Sequence, residues 1–168
     1  FYTEEVVRLP HSYQVNDPKR AIAEETPTRA ACGLPEQGFV FCNFNTSYKL
    51  APRIFERWMM ILKRTPASML WLLEGHPRFS QNVRAAAEAH GVAAERILFA
   101  PLIHAEKHLA RLQLADLFLD SLPYNAHTTA SDALWAGVPL IACRGTAFPG
   151  RVAASLLHAV GLPELVTE

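Results

Sequence analysis

Cysteine is scarce in this 168-residue sequence, and long apolar runs are absent from it. The three cysteines, Cys32, Cys42 and Cys143, are an odd number at wide spacing, which excludes a disulfide framework and favours reduced thiols. No apolar run reaches the roughly 18 residues that a membrane span requires. The first residues also lack the charged-then-apolar order of a signal peptide. We therefore expect a cytoplasmic protein that does not engage a membrane.

The sequence has no excess of charge and none of several common ligand-binding motifs. It has 16 basic and 16 acidic residues, so its formal net charge is zero and we expect no nucleic-acid partner. The glycine-rich dinucleotide motif, the P-loop and the GxSxG motif are missing. An Asp-x-Asp triplet, which would hold a metal on a diphosphate, is missing too. We predict no cofactor and no metal, so that any diphosphate chemistry must rely on amides, hydroxyls and Lys49.

What the sequence does contain is a regular α/β pattern that follows a proline-rich start. Half of the residues are hydrophobic and 19% are charged, which excludes a disordered chain. Residues 1–37 hold scattered prolines and predict a connector, called the arm below. Residues 38–168 predict one domain in which apolar strands alternate with helices. The predicted strands are 39–44, 69–73, 96–100, 116–120, 138–143 and 162–166, and the helices are 52–62, 80–90, 105–113, 129–137 and 151–160.

This alternation predicts a doubly wound, Rossmann-like parallel sheet, because parallel strands need helical crossovers. In such sheets ligands bind outside the carboxyl ends of the strands. Trp58, Trp71 and Trp135 occupy apolar positions of the helices and strands and are predicted to lie in the core. The side chains that follow the strands are the candidate site residues. The candidates are Thr46 and Lys49 after the first strand, Ile103 and His108 after the third, and His127, Thr128, Thr129 and Asp132 after the fourth.

The segment His127-Thr128-Thr129 leads directly into a helix. Free amides and the dipole at a helix N-terminus attract phosphate, and the hydroxyls and the imidazole add donors. The competing interpretation is purely structural: Thr129 caps the helix and Asp132 is its capping-box partner. Lys49 either neutralises charge on a departing diphosphate or is a solvated surface lysine. His108 either packs on a base or ribose or is a helix-surface histidine.

Histidines 104 and 108 have the i, i+4 spacing of metal ligands. A suitably spaced acidic third ligand is missing from the sequence around them. We therefore assign no metal ligand to this helix.

Five ordered motifs resemble the catalytic region of the O-GlcNAc transferases. They are FCNFN (41–45) with Tyr48-Lys49, SMLWLL (68–73), QLAD (113–116) with Leu119-Asp120, HTTASDALWAG (127–137) and RVAAS (151–155). The resemblance implies the C-terminal lobe of a GT-B glycosyltransferase, in a fragment of a longer protein with an N-terminal lobe and tetratricopeptide repeats upstream. It implies inverting, metal-independent transfer of N-acetylglucosamine from UDP-GlcNAc to Ser or Thr of a protein or peptide acceptor, which binds the missing parts.

The resemblance also implies a role for each candidate residue. Lys49 is similar to the lysine that supports the departing diphosphate, His108 to the histidine packed on uridine, and the backbone at Ile103 to the segment that reads the uracil edge. His127, Thr128 and Thr129 resemble the diphosphate-binding turn, and Asp132 the acceptor of the ribose hydroxyls. The sequence departs from animal enzymes at three places: Thr46 replaces a donor-contacting glutamine, Ala105 a lysine, and Pro149-Gly150 an Ala-Ser pair.

Two other functions remain compatible with the sequence. The lobe could bind UDP as a sensor or scaffold in a protein without transfer activity. Alternatively, the parent protein could be a related protein glycosyltransferase that uses another donor, such as UDP-glucose. In each case we expect the isolated fragment to be inactive as a transferase.

Overall fold

The computed structural model describes residues 3–168, which form a single six-stranded parallel sheet flanked by helices. The first two residues of the predicted arm lie outside the described residues. The strands are β1 Phe39–Asn43, β2 Ser68–Leu73, β3 Ile97–Ala100, β4 Leu117–Leu119, β5 Leu140–Cys143 and β6 Val166–Thr167. The helices are α1 Pro52–Arg64, α2 Pro77–Ala89, α3 Ala105–Leu112, α4 Thr128–Trp135 and α5 Val152–Ala159.

The strand order is β3-β2-β1-β4-β5-β6, with every pair parallel. This confirms the predicted doubly wound α/β fold. The chain winds outward from β1 in one direction and from β4 in the other, so these two central strands form the topological switch point. Their register pairs Phe41 with Leu117 and Cys42 with Phe118. The segments that follow β1 and β4 therefore diverge and leave a crevice at this edge of the sheet.

Apolar side chains cover both faces of the sheet, which explains the near-continuous hydrophobic strands. One core cluster joins the sheet to α3, α4 and α5 and is centred on Trp71, Phe118 and Leu140. The other joins it to α1 and α2 and includes Trp58 and Leu62. The predictions for Trp58 and Trp71 are thus confirmed, since 2% and 1% of their surfaces are exposed.

The prediction for Trp135 is wrong, because 43% of this side chain is exposed. The inward-facing residues of α4 include Ala130 and Ala133, and Trp135 lies outside that stripe. Its indole nitrogen donates a hydrogen bond to the carbonyl oxygen of Arg20 at 3.2 Å. Its position on an apolar helix predicts a core residue, whereas the side chain faces the arm.

Most element boundaries differ from the predictions by one or two residues, and a few differences are larger or have an identifiable cause. Helix α2 begins at Pro77 rather than at residue 80, because the His76 imidazole accepts a hydrogen bond from the Arg78 amide at 3.2 Å and caps the helix. Helix α4 ends at Trp135, short of the predicted residue 137. The last strand is only Val166–Thr167, because Pro163–Leu165 form a 3₁₀ turn.

The arm follows the body of the domain closely although it has little regular structure. Its one short helix within residues 3–37 is the 3₁₀ turn Ala30–Cys32. The Arg29 guanidinium donates to the Gly38 carbonyl at 2.8 Å and to the Asp116 carboxylate at 3.1 Å. The Ala23 amide donates to the Glu106 carbonyl at 3.1 Å. In the described part of the chain, no helix combines the length and the apolar character that a membrane crossing requires.

Candidate functional site

The candidate site lies where the chain leaves β1 and β4. The Asn43 amide donates to the Leu119 carbonyl at 2.7 Å and thereby joins the ends of the two strands. The Asn45 side chain then bridges two further elements. It donates to the Ser121 hydroxyl at 3.0 Å and accepts from the Thr129 hydroxyl at 2.6 Å. Buried amides therefore fix the crevice between β1, β4 and the start of α4.

Asp120 organises the loop between β4 and α4. One carboxylate oxygen accepts hydrogen bonds from the amides of Ser121 at 2.7 Å and Ala126 at 2.6 Å, which closes the loop into a compact turn. The side chain is buried, and its second oxygen has no partner among the described residues. Burial raises the pKa of Asp120 to about 7, although the two amides and the Lys49 ammonium act in the opposite direction.

Lys49 reaches this turn from the other side of the crevice. It ends a 3₁₀ turn, Ser47–Lys49, and its ammonium donates to the Asn125 carbonyl at 2.8 Å. The same ammonium lies 4.1 Å from the centroid of the Tyr124 ring. Burial lowers the pKa of Lys49, and Asp120 opposes that change. The interpretation as a solvated surface lysine is therefore wrong, and two of its three N–H donors remain for a ligand.

Helix α4 points its N-terminus into the crevice. Its first regular backbone bond joins the Ser131 amide to the His127 carbonyl at 3.1 Å, so the preceding amides lie outside the helical ladder. Within residues 3–168, no side chain caps this helix. The capping-box interpretation is wrong, because Thr129 bonds to Asn45 and Asp132 bonds to the arm. Partners distant in sequence replace the local ones, and the amides stay available to an anion.

The His127 imidazole stands beside these amides. Its Nδ1 lies 2.6 Å from the Tyr13 hydroxyl of the arm, and its Nε2 lies 3.2 Å from the Pro149 carbonyl oxygen. The ring stacks on Tyr124, with centroids 5.0 Å apart and planes 20° apart. Burial lowers the pKa of His127, the bond to Pro149 raises it, and Lys49 lowers it again. Tyr124 thus contacts both Lys49 and His127 and brings these two nitrogen donors together.

His108 lies on α3, away from Lys49. It packs edge-on against Phe44, with ring centroids 4.9 Å apart, and its Nδ1 accepts a hydrogen bond from Arg111 Nε at 3.1 Å. Burial, together with the charges of Arg111 and Arg20, lowers the pKa of His108 to about 4. The ring is therefore neutral at physiological pH, with its proton on Nε2. The interpretation as a free helix-surface histidine is wrong.

Arg111 is a site residue that the sequence reasoning missed. Its guanidinium is buried, donates to the Pro101 carbonyl at 2.7 Å, and keeps one buried nitrogen without a partner in residues 3–168. It lines a groove of about 450 Å³ together with Trp71 and Ile103. The available signal was an arginine three residues after His108 on an otherwise apolar stretch of helix.

The arm crosses the start of α4 and contacts several predicted site residues. The Arg20 guanidinium pairs with the Asp132 carboxylate at 2.5 Å. The Gln14 amide lies 3.5 Å from the Thr128 hydroxyl, at the outer limit of a hydrogen bond. Neither Tyr13 nor Arg20 was a candidate, because no pattern in the sequence links residues so far from α4 to it.

The predicted residues therefore fall into two neighbouring groups. Lys49, His127, Thr128 and Thr129 surround the start of α4, whereas His108 and Asp132 both lie close to Arg20. Ile103 belongs to the groove beside Arg111, and Thr46 is exposed at the start of the 3₁₀ turn that carries Lys49. In the described residues, no three His, Cys, Asp or Glu side chains come together in a way that could hold a metal ion.

Sequence comparisons identify the family to which the chain belongs. The profile described as "Glycosyl transferase family 41" matches residues 10–168. A probable UDP-N-acetylglucosamine–peptide N-acetylglucosaminyltransferase of Arabidopsis thaliana, SEC, is 42% identical over 166 residues, which cover 96% of this chain and 17% of the relative. The UDP-N-acetylglucosamine–peptide N-acetylglucosaminyltransferase of Caenorhabditis elegans is 39% identical over 156 residues, which cover 89% of this chain and 14% of the relative. The chain thus spans about a sixth of these relatives.

A solved structure gives the same answer for the fold. A mutant of Thermobaculum terrenum O-GlcNAc transferase superposes with a TM-score of 0.85 at 33% sequence identity, covering 99% of this chain and 31% of that one. The resemblance seen in the five sequence motifs is confirmed by the profile, the relatives and the structure together. The chain belongs to glycosyl transferase family 41, the O-GlcNAc transferase family, as part of its catalytic region.

Proposed function

We propose that this chain is the donor-binding C-terminal lobe of an inverting, metal-independent glycosyltransferase. The parent protein would transfer N-acetylglucosamine from UDP-GlcNAc to Ser or Thr hydroxyls of proteins. The observation that carries the proposal is the uncapped N-terminus of α4, which opens beside the Lys49 ammonium at the switch point of the sheet. Dipole and ammonium together suit a diphosphate.

The nucleoside end of the donor is assigned to the α3 side of the crevice. His108 offers a neutral ring face and an Nε2–H donor, and its edge contact with Phe44 fixes its orientation. The backbone at Ile103 would read the edge of the uracil. Asp132 would accept from the ribose hydroxyls with its free carboxylate oxygen, while its other oxygen keeps Arg20. A carboxylate that accepts two hydroxyls prefers ribose to deoxyribose.

The diphosphate is assigned to the first turn of α4. The amides of that turn, the Thr128 hydroxyl and the His127 imidazole would donate to its oxygens. Thr129 already donates to Asn45, so its hydroxyl would hold the turn in place while its amide donates to the anion. An anion at a helix N-terminus gains about 0.3–1 kcal/mol in exposed geometry and up to about 2 kcal/mol when partly buried.

Lys49 is proposed to stabilise the leaving group. Its ammonium is oriented by Asn125 and by the Tyr124 ring before any ligand binds, so little reorganisation is needed when charge develops on the departing UDP. Thr46 begins the turn that carries Lys49 and is proposed to contact the donor from there. This donor set can offset a diphosphate without a metal ion.

The remaining functions are assigned to parts of the parent protein beyond this chain. The acceptor peptide and the general base would belong to a second lobe and to repeats upstream, so we expect the isolated chain to bind donor without turning it over. The lengths of the relatives support this assignment, because the chain covers only 17% and 14% of them.

Calorimetric titration of the full-length protein with UDP and with UDP-GlcNAc in the presence of EDTA tests the proposal. We expect micromolar to millimolar binding of both. Asp132→Asn should weaken it about tenfold or more, since a hydrogen bond to a charged group is lost. Glu88→Gln, on the exposed side of α2, is the matched control and should bind as the native protein does.

The outcomes separate the competing functions. Binding that disappears with EDTA would contradict metal independence, and a lack of UDP binding would contradict the donor site. UDP-GlcNAc binding without any transfer to peptides would favour a sensor or scaffold. Mass spectrometry of the modified peptide distinguishes N-acetylglucosamine from glucose.

A further inference from the structure

The His127 side chain is held on several sides by residues outside its own helix. Tyr13 contacts Nδ1, Pro149 contacts Nε2, and the ring of Tyr124 stacks on the imidazole. Tyr13 belongs to the arm, 114 residues earlier in the chain, and its ring packs edge-on against Phe148 with centroids 4.9 Å apart. The arm therefore reaches into the proposed diphosphate site through one aromatic side chain.

These contacts determine which nitrogen of His127 carries the proton. The Pro149 carbonyl oxygen has no hydrogen to give, so Nε2 must be the donor in that contact. Burial favours the neutral ring, which leaves Nδ1 with a lone pair only. The Tyr13 hydroxyl must then donate to Nδ1, at a distance of 2.6 Å. Tyr13 and Pro149 thus select the same tautomer from opposite sides of the ring.

The two bonds differ in length, and that difference suggests what happens when donor binds. The Tyr13 bond is short at 2.6 Å, whereas the Pro149 bond is long at 3.2 Å. A phosphate oxygen, which is a charged acceptor, competes well for the Nε2 proton against a distant carbonyl. The ring would keep its bond to Tyr13 and exchange only its bond to Pro149.

We propose that Tyr13 is a positioning residue of the donor site, whose hydroxyl fixes the Nε2–H tautomer and the orientation of His127 so that this N–H can pass to the diphosphate. The inference rests on the proposed function, because it requires a diphosphate beside His127. It assigns the arm a role in the chemistry of the site, beyond connecting the lobe to the rest of the protein. The physical basis is the one by which an outer hydrogen bond fixes the tautomer of a metal-bound histidine.

Tyr13→Phe isolates the hydroxyl, since the phenyl ring keeps its packing against Phe148 and His127. In the full-length protein we expect the KM for UDP-GlcNAc and the Kd for UDP to rise about three- to tenfold, the range of one neutral hydrogen bond. The KM for the acceptor peptide should not change. Thr26→Val is the matched control, because Thr26 also ties the arm to the body by one hydroxyl, at 3.0 Å to Gln113, away from the site.

A double-mutant cycle decides whether Tyr13 acts through His127. UDP affinity is measured for Tyr13→Phe in the native background and again in the His127→Gln background. We expect Tyr13→Phe to have little effect on UDP affinity in the His127→Gln background, because the imidazole that the hydroxyl orients is absent there. Equal losses in both backgrounds would overturn the inference, because Tyr13 would then act through packing of the arm alone.

The remaining outcomes keep this inference distinct from the proposed function. A native protein that binds UDP, together with a Tyr13→Phe variant of unchanged affinity and unchanged KM, overturns the role of Tyr13 and leaves the donor site standing. A loss of the same size in Thr26→Val also overturns it, since any loosening of the arm would then suffice. A native protein that binds no UDP overturns both proposals.

Discussion

Asp120 offers a test of the site that requires no ligand. Asp120 is 6% exposed, and one of its carboxylate oxygens already accepts hydrogen bonds from two amides. Burial raises its pKa from 3.8 to about 7, so the folded protein holds a proton on Asp120 that the unfolded chain releases. Asp120→Asn keeps an oxygen for the two amides and removes the ionisation. The variant therefore separates the shape of the turn from its charge.

The direction of the pH effect follows from the two protonation states. Below about pH 4 both the folded and the unfolded chains are protonated at Asp120, so the group contributes nothing to the pH dependence of the free energy of unfolding. Between about pH 4 and pH 7 the unfolded state alone loses the proton, and the free energy of unfolding falls as the pH rises. Above about pH 7 the loss is complete. One pKa unit corresponds to about 1.36 kcal/mol, so a difference of about 3 between the folded and unfolded pKa lowers the free energy of unfolding by about 4 kcal/mol over the whole range.

Urea denaturation of the native chain and of Asp120→Asn at about pH 5 and about pH 8 measures this contribution. The variant should gain about 3 kcal/mol of stability relative to the native chain between the two pH values, since only the part of the titration between about pH 5 and about pH 7 falls in this interval. His108 has the opposite slope, because its pKa is lowered to about 4, but this contribution is common to both proteins and cancels. An unchanged stability difference at the two pH values would refute a protonated Asp120 in the folded state.

Three further predictions use the same structure. Lys49→Ala in the full-length protein should lower kcat about 100- to 1000-fold, which is the usual cost of losing one preorganised donor. The control is Lys63→Ala, at the exposed end of α1, which should leave kcat unchanged. A Lys49→Ala variant that keeps most of the native kcat would exclude the leaving-group role. Gly150→Ala should destabilise the chain by about 1–3 kcal/mol in urea denaturation, because its Cβ would lie 2.8 Å from a loop carbonyl oxygen. Gly75→Ala, whose Cβ would have the Phe79 side chain as its neighbour and no atom closer than 3.4 Å, is the control, and equal effects would contradict the close approach. Because the folded pKa of His108 is lowered from 6.5 to about 4, the native chain should lose stability relative to His108→Gln as the pH falls through that range in the same assay, and the contribution of Asp120 cancels in this comparison.

The sequence by itself determined the architecture of this protein. Apolar strands that alternate with amphipathic helices leave few options besides a doubly wound parallel sheet, and the observed strand order agrees. The carboxyl ends of such strands then indicate where Lys49 and His127 must be sought. The five ordered motifs, of which 127–137 is the most specific, were enough to identify the family. Local patterns suffice for these conclusions, because neighbouring residues produce the periodicity and the turns.

Only the tertiary structure decided how the side chains of the site are partnered. Thr129 looked like a helix cap but donates to Asn45, 84 residues away. Asp132 looked like a capping partner but pairs with Arg20, 112 residues away. The exposed Trp135 was predicted as core because the arm that it faces has no periodicity to indicate its path. Each of these contacts joins segments that are far apart in the chain and that only the tertiary fold brings together, and so no local pattern in the sequence records them.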